Sequence, residues 1–287
     1  MTVQTALRQG YRLLEDAAVP AARLTAEVLL ARALGRERVY LYAHPEDELS
    51  EIVWLHYGRY LKERLDGVPT QYITRNQEFY GRDFLVTPDV LIPRPETEHV
   101  IEEAVGLDLG PAARALDVGC GSGAIAVTLA LELRCAVAAC DISTAALKVA
   151  EENARRLGAR VQFVAGDVSS CFAARSFDLV ASNPPYVAQT EAGGLQREVR
   201  DHEPHVALFA GPTGNEIYAR LIADAGRVLT PGGWLVMELG YRSLDAVEAM
   251  LGDGWDNVRT RTDLAGYPRV ISARLRQPQP RSDTALS

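Results

Sequence analysis

Between residues 113 and 124 an apolar run is interrupted by three glycines and then resumes with a different period, and no other stretch constrains the fold as much. Ala113-Arg114-Ala115-Leu116-Asp117-Val118 reads as a strand, Gly119-Cys120-Gly121-Ser122-Gly123 as a tight turn, and Ala124 to Ala130 as a helix. Strand, glycine turn and helix open a βαβ unit. The alternation continues downstream. Cys135 to Asp141 is a second apolar strand and Thr144 to Leu157 an alanine-rich helix; Val161–Val164, Phe177–Ala181 and Trp234–Glu238 are further strands. Near-continuous apolar strands separated by helices predict an α/β domain with a buried, mainly parallel sheet.

Glycine belongs where the chain turns sharply and a ligand must reach the backbone without meeting a Cβ. The dinucleotide pattern G-x-G-x-x-G/A is met here only if Ala124 takes its third position. Asp117 stands just before the glycines, where an anionic pyrophosphate gains nothing from a carboxylate. A sulfonium ligand with an α-ammonium group does gain, so S-adenosylmethionine is the expected cofactor, with Asp117, Gly119, Cys120, Gly121, Ser122 and Gly123 around it. Asp141 ends the second strand and is placed to accept from ribose hydroxyls. Its alternative role is to cap the next helix, which Ser143 or Thr144 can do instead. Asp167 is placed to accept from an adenine amino group, with Val168 against the ring.

Asn183-Pro184-Pro185-Tyr186 follows the fourth strand. In an open parallel sheet, ligands bind beyond the carboxyl ends of the strands, which puts this peptide beside the methyl donor. An amide or aryl amine nitrogen is a poor nucleophile because its lone pair is delocalised. The Asn183 side-chain oxygen and the Pro184 carbonyl can accept its two N–H bonds and aim the lone pair. Prolines stiffen the backbone and remove competing donors, and Tyr186 offers a flat face for a planar group. Asn183 is also counted among the residues around the cofactor. No strong base is needed if the proton leaves after transfer, so alignment and electrostatics carry the rate.

Residues 1–66 read as a small bundle of four or five short helices, expected to recognise the substrate. Residues 67–92, punctuated by Pro69, Gly81 and Pro88, read as a β-hairpin linker that includes Tyr72-Ile73. The catalytic domain is expected over 93–275 and a disordered tail over 276–287. The N-terminus lacks a basic start and apolar stretch, and no apolar run approaches the roughly 20 residues of a membrane span. A cytoplasmic monomer without membrane contact is the expectation. Cys120, Cys135, Cys140 and Cys171 form no C-x-x-C pair and His202 and His205 lack further ligands nearby, so no metal is expected. Thirty basic against 38 acidic residues give a formal charge of −8, which weighs against direct nucleic-acid binding.

One run is more specific than any of these. Val90-Leu91-Ile92-Pro93-Arg94-Pro95-Glu96-Thr97-Glu98, with Glu78-Phe79-Tyr80-Gly81 before it and Asn-Pro-Pro-Tyr after it, resembles the release-factor glutamine methyltransferases (the PrmC or HemK family). Glu203-Pro204 and Asp263-Leu264-Ala265-Gly266 match the same pattern. The resemblance implies a class I, Rossmann-like methyltransferase sheet with an N-terminal helical domain. It implies N5-methylation of the glutamine in the Gly-Gly-Gln motif of peptide-chain release factors. It places Asn183, Pro184, Pro185 and Tyr186 in the glutamine pocket, and Arg94, Glu96 and Thr97 near its mouth. The chain departs from the family at Arg75, where glycine is usual, and at His202, where tyrosine is usual. Two competing readings are an N6-adenine methyltransferase of DNA or RNA, and a factor-binding module with a vestigial cofactor site.

Overall fold

The computed structural model describes residues 1–277, so the expected tail lies almost wholly outside the described residues. The chain divides into two compact units, Met1–Asn76 with Leu195–His202, and Gln77–Gly194 with the segment from Glu203 onward.

The first unit is helical: α1 (Val3–Asp16), α2 (Ala22–Leu34), α3 (Arg38–Ala43), α4 (Glu51–Leu65) and α5 (Thr70–Thr74). Thr2 and Ser50 cap α1 and α4 by accepting from the backbone N–H three residues on. Leu14, Leu29, Leu30 and Tyr57 fill the core between them. The segment Leu195–His202 is tied in through Glu198, which pairs at 2.7 Å with the nearly buried Arg64. Tyr72 and Ile73 lie in α5 and not in a strand. Pro69 explains the difference: it supplies a fixed φ at the helix start, where its missing N–H costs nothing.

The second unit begins with a hairpin of β1 (Gln77–Phe79) and β2 (Arg82–Phe84), whose Phe79 and Phe84 rings pack edge to face. A 3₁₀ turn, Pro95–Thr97, leads into α6 (Glu98–Val105). Then follow β3 (Arg114–Val118), α7 (Ala124–Leu133), β4 (Ala136–Asp141), α8 (Thr144–Leu157), β5 (Val161–Ala165) and β6 (Phe177–Ser182). Two short strands, β7 (Val187–Ala188) and β8 (Phe209–Gly211), pair with each other; between them lie α9 (Arg197–His202) and α10 (His205–Leu208). The chain continues through α11 (Glu216–Val228), β9 (Leu229–Glu238), α12 (Leu244–Leu251), β10 (Trp255–Thr262) and β11 (Pro268–Leu275).

Seven strands form the main sheet in the order β10-β11-β9-β6-β3-β4-β5. The pairs from β5 across to β9 are parallel, while β11 runs antiparallel to both its neighbours. Successive β3 residues feed opposite cores, Ala115 on one face and Leu116 and Val118 on the other. β10 and β11 were not anticipated. β10 is largely exposed and polar through Asp256, Asn257, Arg259 and Arg261, a charged edge strand without alternation to read. Among the described residues, no helix is long and apolar enough to cross a membrane.

Candidate active site

Strand β3 pairs with β4 on one side and β6 on the other, so the strand order reverses beside it. A crevice is expected at such a point. A cavity of about 280 Å³ opens there, walled by Gly119 and Gly121 from the turn after β3, Asp141 at the end of β4, Val168 after β5, and Asn183 and Pro184 after β6.

The turn is pinned from beneath. The Gly119 and Cys120 N–H groups both donate to the Cys140 carbonyl, and the Gly121 N–H donates to Asp141 Oδ2 at 2.8 Å. Asp141 Oδ1 accepts from the Ser143 backbone at 2.8 Å. Its carboxylate is therefore held in place by the chain and still borders the cavity. The fully buried Asn153 binds the Ser122 carbonyl at 2.9 Å and both backbone groups of Leu85, fastening the turn to the hairpin side. Cys120 packs into the core, and Ser122 and Gly123 are buried behind the turn; none of the three walls the cavity.

Asp117 is wholly buried and does not itself wall the cavity. Its Oδ2 accepts from the Ala126 N–H at 3.0 Å at the start of α7, but its Oδ1 has no protein donor. Burial pushes its carboxyl up to about 8. Asp167 reaches the cavity with one oxygen already paired at 2.6 Å with Arg220. Leu91, Val168, Phe209 and Leu221 give that cavity apolar wall. A buried carboxylate oxygen in want of a donor, a backbone stripped of Cβ atoms, an oriented acid and an apolar slot together fit an ammonium, a ribose and a flat base. They fit S-adenosylmethionine.

Asn183 stands at the same cavity, and its Nδ2 donates to Thr97 Oγ1 at 3.0 Å. Thr97 Oγ1 in turn donates to Glu238 Oε2 at 2.5 Å, and the Tyr186 hydroxyl faces Glu238 Oε1 at 3.4 Å. Burial pushes the Glu238 carboxyl up to about 7, and pushes the Tyr186 phenol up as well. Thr97, expected at the mouth, is instead buried at 3% exposure behind Asn183. Arg94 is half-buried and spends its guanidinium on the buried Glu203. Glu96 is half-buried, and its charge contributes to raising Glu238.

Glu238, Glu203, Asn153 and Arg220 were not read from the sequence as parts of the site. A signal existed for Glu238: an acid closing the otherwise apolar strand Trp234-Leu235-Val236-Met237 needs a buried partner. The Asn153 signal was weaker, an amide on the buried face of α8.

Sheet order, antiparallel β11, glycine turn and acidic strand ends together define a class I S-adenosylmethionine-dependent methyltransferase. The match extends to both units: a PrmC N-terminal domain model covers residues 5–74, and a methyltransferase small domain model covers residues 104–199. The release factor glutamine methyltransferase of Koribacter versatilis is 47% identical over 279 residues, spanning 96% of this chain and 99% of that protein. The protein of the same name from Bacillus subtilis is 40% identical over 259 residues, 86% of this chain and 90% of its own. The chain belongs to the release factor glutamine methyltransferase family. Among solved structures, a methyltransferase from Pyrococcus furiosus superposes with a TM-score of 0.53 at 20% identity over 70% of this chain and 91% of that one, a likeness of fold.

Proposed function

We propose that this chain transfers a methyl group to the N5 side-chain nitrogen of the glutamine in the Gly-Gly-Gln motif of peptide-chain release factors. The observation that carries the reading is the orientation of Asn183. With its Nδ2 engaged by Thr97, its Oδ1 is the edge left for a substrate N–H. Relatives named as release factor glutamine methyltransferases along nearly the whole chain supply the substrate.

When bound, S-adenosylmethionine supplies an electrophilic methyl group on a sulfonium. The chain's own residues do the rest. Asn183 Oδ1 and the Pro184 carbonyl accept the two amide N–H bonds, fixing the plane of the glutamine side chain and presenting its nitrogen along one direction. Tyr186, its phenol kept protonated by burial, covers one face of that plane. Holding the acceptors before reaction removes the reorganisation that water would require. The methylated nitrogen then gives up a proton to solvent. Asp117 and the Gly119–Gly123 turn hold the amino-acid end of the cofactor, Asp141 its ribose, and Asp167 with Val168 its base. Cys120, Ser122 and Gly123 contribute by shaping the turn from behind.

In this reading the helical unit grips the folded factor away from the glutamine. Ile52 and Leu55 on α4 are 67% and 62% exposed, one helical turn apart. Replacing both by aspartate should raise the KM for the factor and leave cofactor affinity alone; an unchanged KM would remove them from the interface. The enzyme works as a monomer in the cytoplasm, where its four unpaired cysteines stay reduced.

The deciding assay offers methyl-labelled cofactor together with purified release factor, with DNA, and with RNA. Label on the factor, lost when its Gly-Gly-Gln glutamine is changed, is the expected result. Label on adenine in the nucleic acid would replace this reading with the N6-adenine one.

A further inference from the structure

We propose that Glu238, acting through Thr97, is a positioning residue that decides which edge of the Asn183 amide faces the substrate. The inference rests on the role given to Asn183 above and concerns what enforces it.

A primary amide has two edges of nearly equal size and opposite polarity. With Oδ1 outward, Asn183 accepts a substrate N–H. With Nδ2 outward, it confronts that N–H with another donor. Shape alone does not choose between them, so the choice falls to the group behind. That group is Thr97 Oγ1, at 3.0 Å from Asn183 Nδ2. A hydroxyl has one proton and can either give to Asn183 or receive from it. Its proton is committed to Glu238 Oε2, at 2.5 Å, so towards Asn183 it can only receive.

Glu238 is the origin of this polarity. It is 2% exposed, and Thr97 is 3% exposed, so no water competes for either bond. Once ionised, above the pH of about 7 to which burial raises it, the carboxylate only accepts, whereas a hydroxyl in its place could turn either way. Its second oxygen faces the Tyr186 hydroxyl at 3.4 Å, which also donates towards it. Two arms of the Asn183–Tyr186 peptide are thus set from one buried acid. Burying a carboxyl is unfavourable, and a buried polar pair replaced as a whole by apolar residues of similar volume is often as stable or more so. Stability therefore gives no reason for an acid at this position, and polarity does.

The test compares Glu238→Leu, Thr97→Val, Thr97→Ser and Asn183→Ala in the full chain. Four quantities are read: kcat, KM for release factor, cofactor affinity and melting temperature. Glu238→Leu and Thr97→Val should each lower kcat roughly ten-fold or more, with cofactor affinity within about three-fold. Glu238→Leu, which leaves the Thr97 and Tyr186 hydroxyls without their acceptor, should also lower the melting temperature. Thr97→Ser, which keeps the hydroxyl, should recover most of the loss. The double variant Thr97→Val with Glu238→Leu should be no worse than the poorer single, because both break one path. The side-chain amide resonance of Asn183 should shift in both single variants and return in Thr97→Ser. Should Glu238→Leu fold poorly, the Thr97 pair and the amide resonance still decide. Wild-type kcat in Thr97→Val, or an unmoved Asn183 resonance, overturns the relay. If Asn183→Ala is dead while Thr97→Val is fully active, only the relay falls. If Asn183→Ala is itself active, the assignment of Asn183 falls and takes the relay with it.

Discussion

Glu203 Oε1 receives a 2.5 Å hydrogen bond from the guanidinium of Arg94, a residue 109 positions earlier in the chain. Its other oxygen accepts the Ile92 N–H at 3.2 Å, so one buried acid grips the Ile-Pro-Arg-Pro run at two points. That run leads directly into Thr97, the residue behind Asn183. The prolines stiffen the segment, and Glu203 anchors it.

Glu203→Ala should therefore destabilise the protein by about 1–3 kcal/mol, because it leaves a buried backbone donor and a half-buried cation unpaired. Glu203→Gln should cost less, since its amide oxygen still accepts from one of them. Chemical denaturation measures the difference. A Glu203→Ala variant as stable as the parent would show that the segment is held by packing alone.

Asn183→Ala should lose on the order of 10²-fold or more in kcat, the usual consequence of deleting one positioned acceptor, with cofactor affinity kept within a few-fold. Steady-state turnover alongside calorimetric binding separates the two quantities. A parallel loss of cofactor affinity would mean that Asn183 serves the donor and not the amide.

The glycines of the turn are not equivalent. Gly123 has φ +80°, and a Cβ there would lie 3.0 Å from Ala150 Cβ and 3.2 Å from its Cα on α8. Gly121 also has a positive φ, +53°, but faces open space. Gly121→Ala should cost about 1–2 kcal/mol, from backbone strain alone. Gly123→Ala adds a clash with a backbone atom and should cost more while displacing α7 from α8. Equal melting temperatures for the two variants would contradict the packing geometry.

Much of the catalytic unit was legible because its chemistry is local. Strand β3, the turn and α7 lie consecutively in the chain, and Asn183 to Tyr186 directly follow β6. What escaped were groups brought together across long separations, such as Thr97 and Glu238 or Leu85 and Asn153, since no local pattern encodes a partner 141 or 68 residues away. Tyr72-Ile73 was misread for a different reason: two adjacent apolar residues fit a strand or a short helix equally, and only burial separates them.

Arg75 shows how a departure from the family pattern becomes intelligible once the backbone is known. It closes α5 at φ +58°, in the left-handed region that glycine enters freely and that costs other residues about 1–2 kcal/mol. Its side chain is exposed, so little packing is lost on removing it. Glycine gives back part of the gain through a freer unfolded chain. Arg75→Gly should thus stabilise the protein by about 0.5–1 kcal/mol at unchanged turnover, read as a raised melting temperature. A lowered one would mean that the arginine makes a compensating contact.

If Asp117 holds the cofactor's ammonium as proposed, cofactor binding is coupled to pH. Its folded carboxyl is pushed by burial from the ordinary 3.8 up to about 8, so between those values the folded protein binds a proton that the unfolded chain has released. This group's contribution to stability is therefore fully present below pH 4 and is lost as pH rises through about 8. Glu238, raised to about 7, adds a loss of the same sign. An ammonium group brought towards the unpartnered Asp117 Oδ1 favours the carboxylate and reverses the shift. Cofactor binding at pH 7 should then expel a proton from Asp117, and apparent affinity should rise with pH up to about 8. Calorimetry in two buffers of different ionisation enthalpy counts that proton. Release in the parent that disappears in Asp117→Asn is the expected outcome, and equal heats in both buffers for the parent would remove Asp117 from the cofactor site.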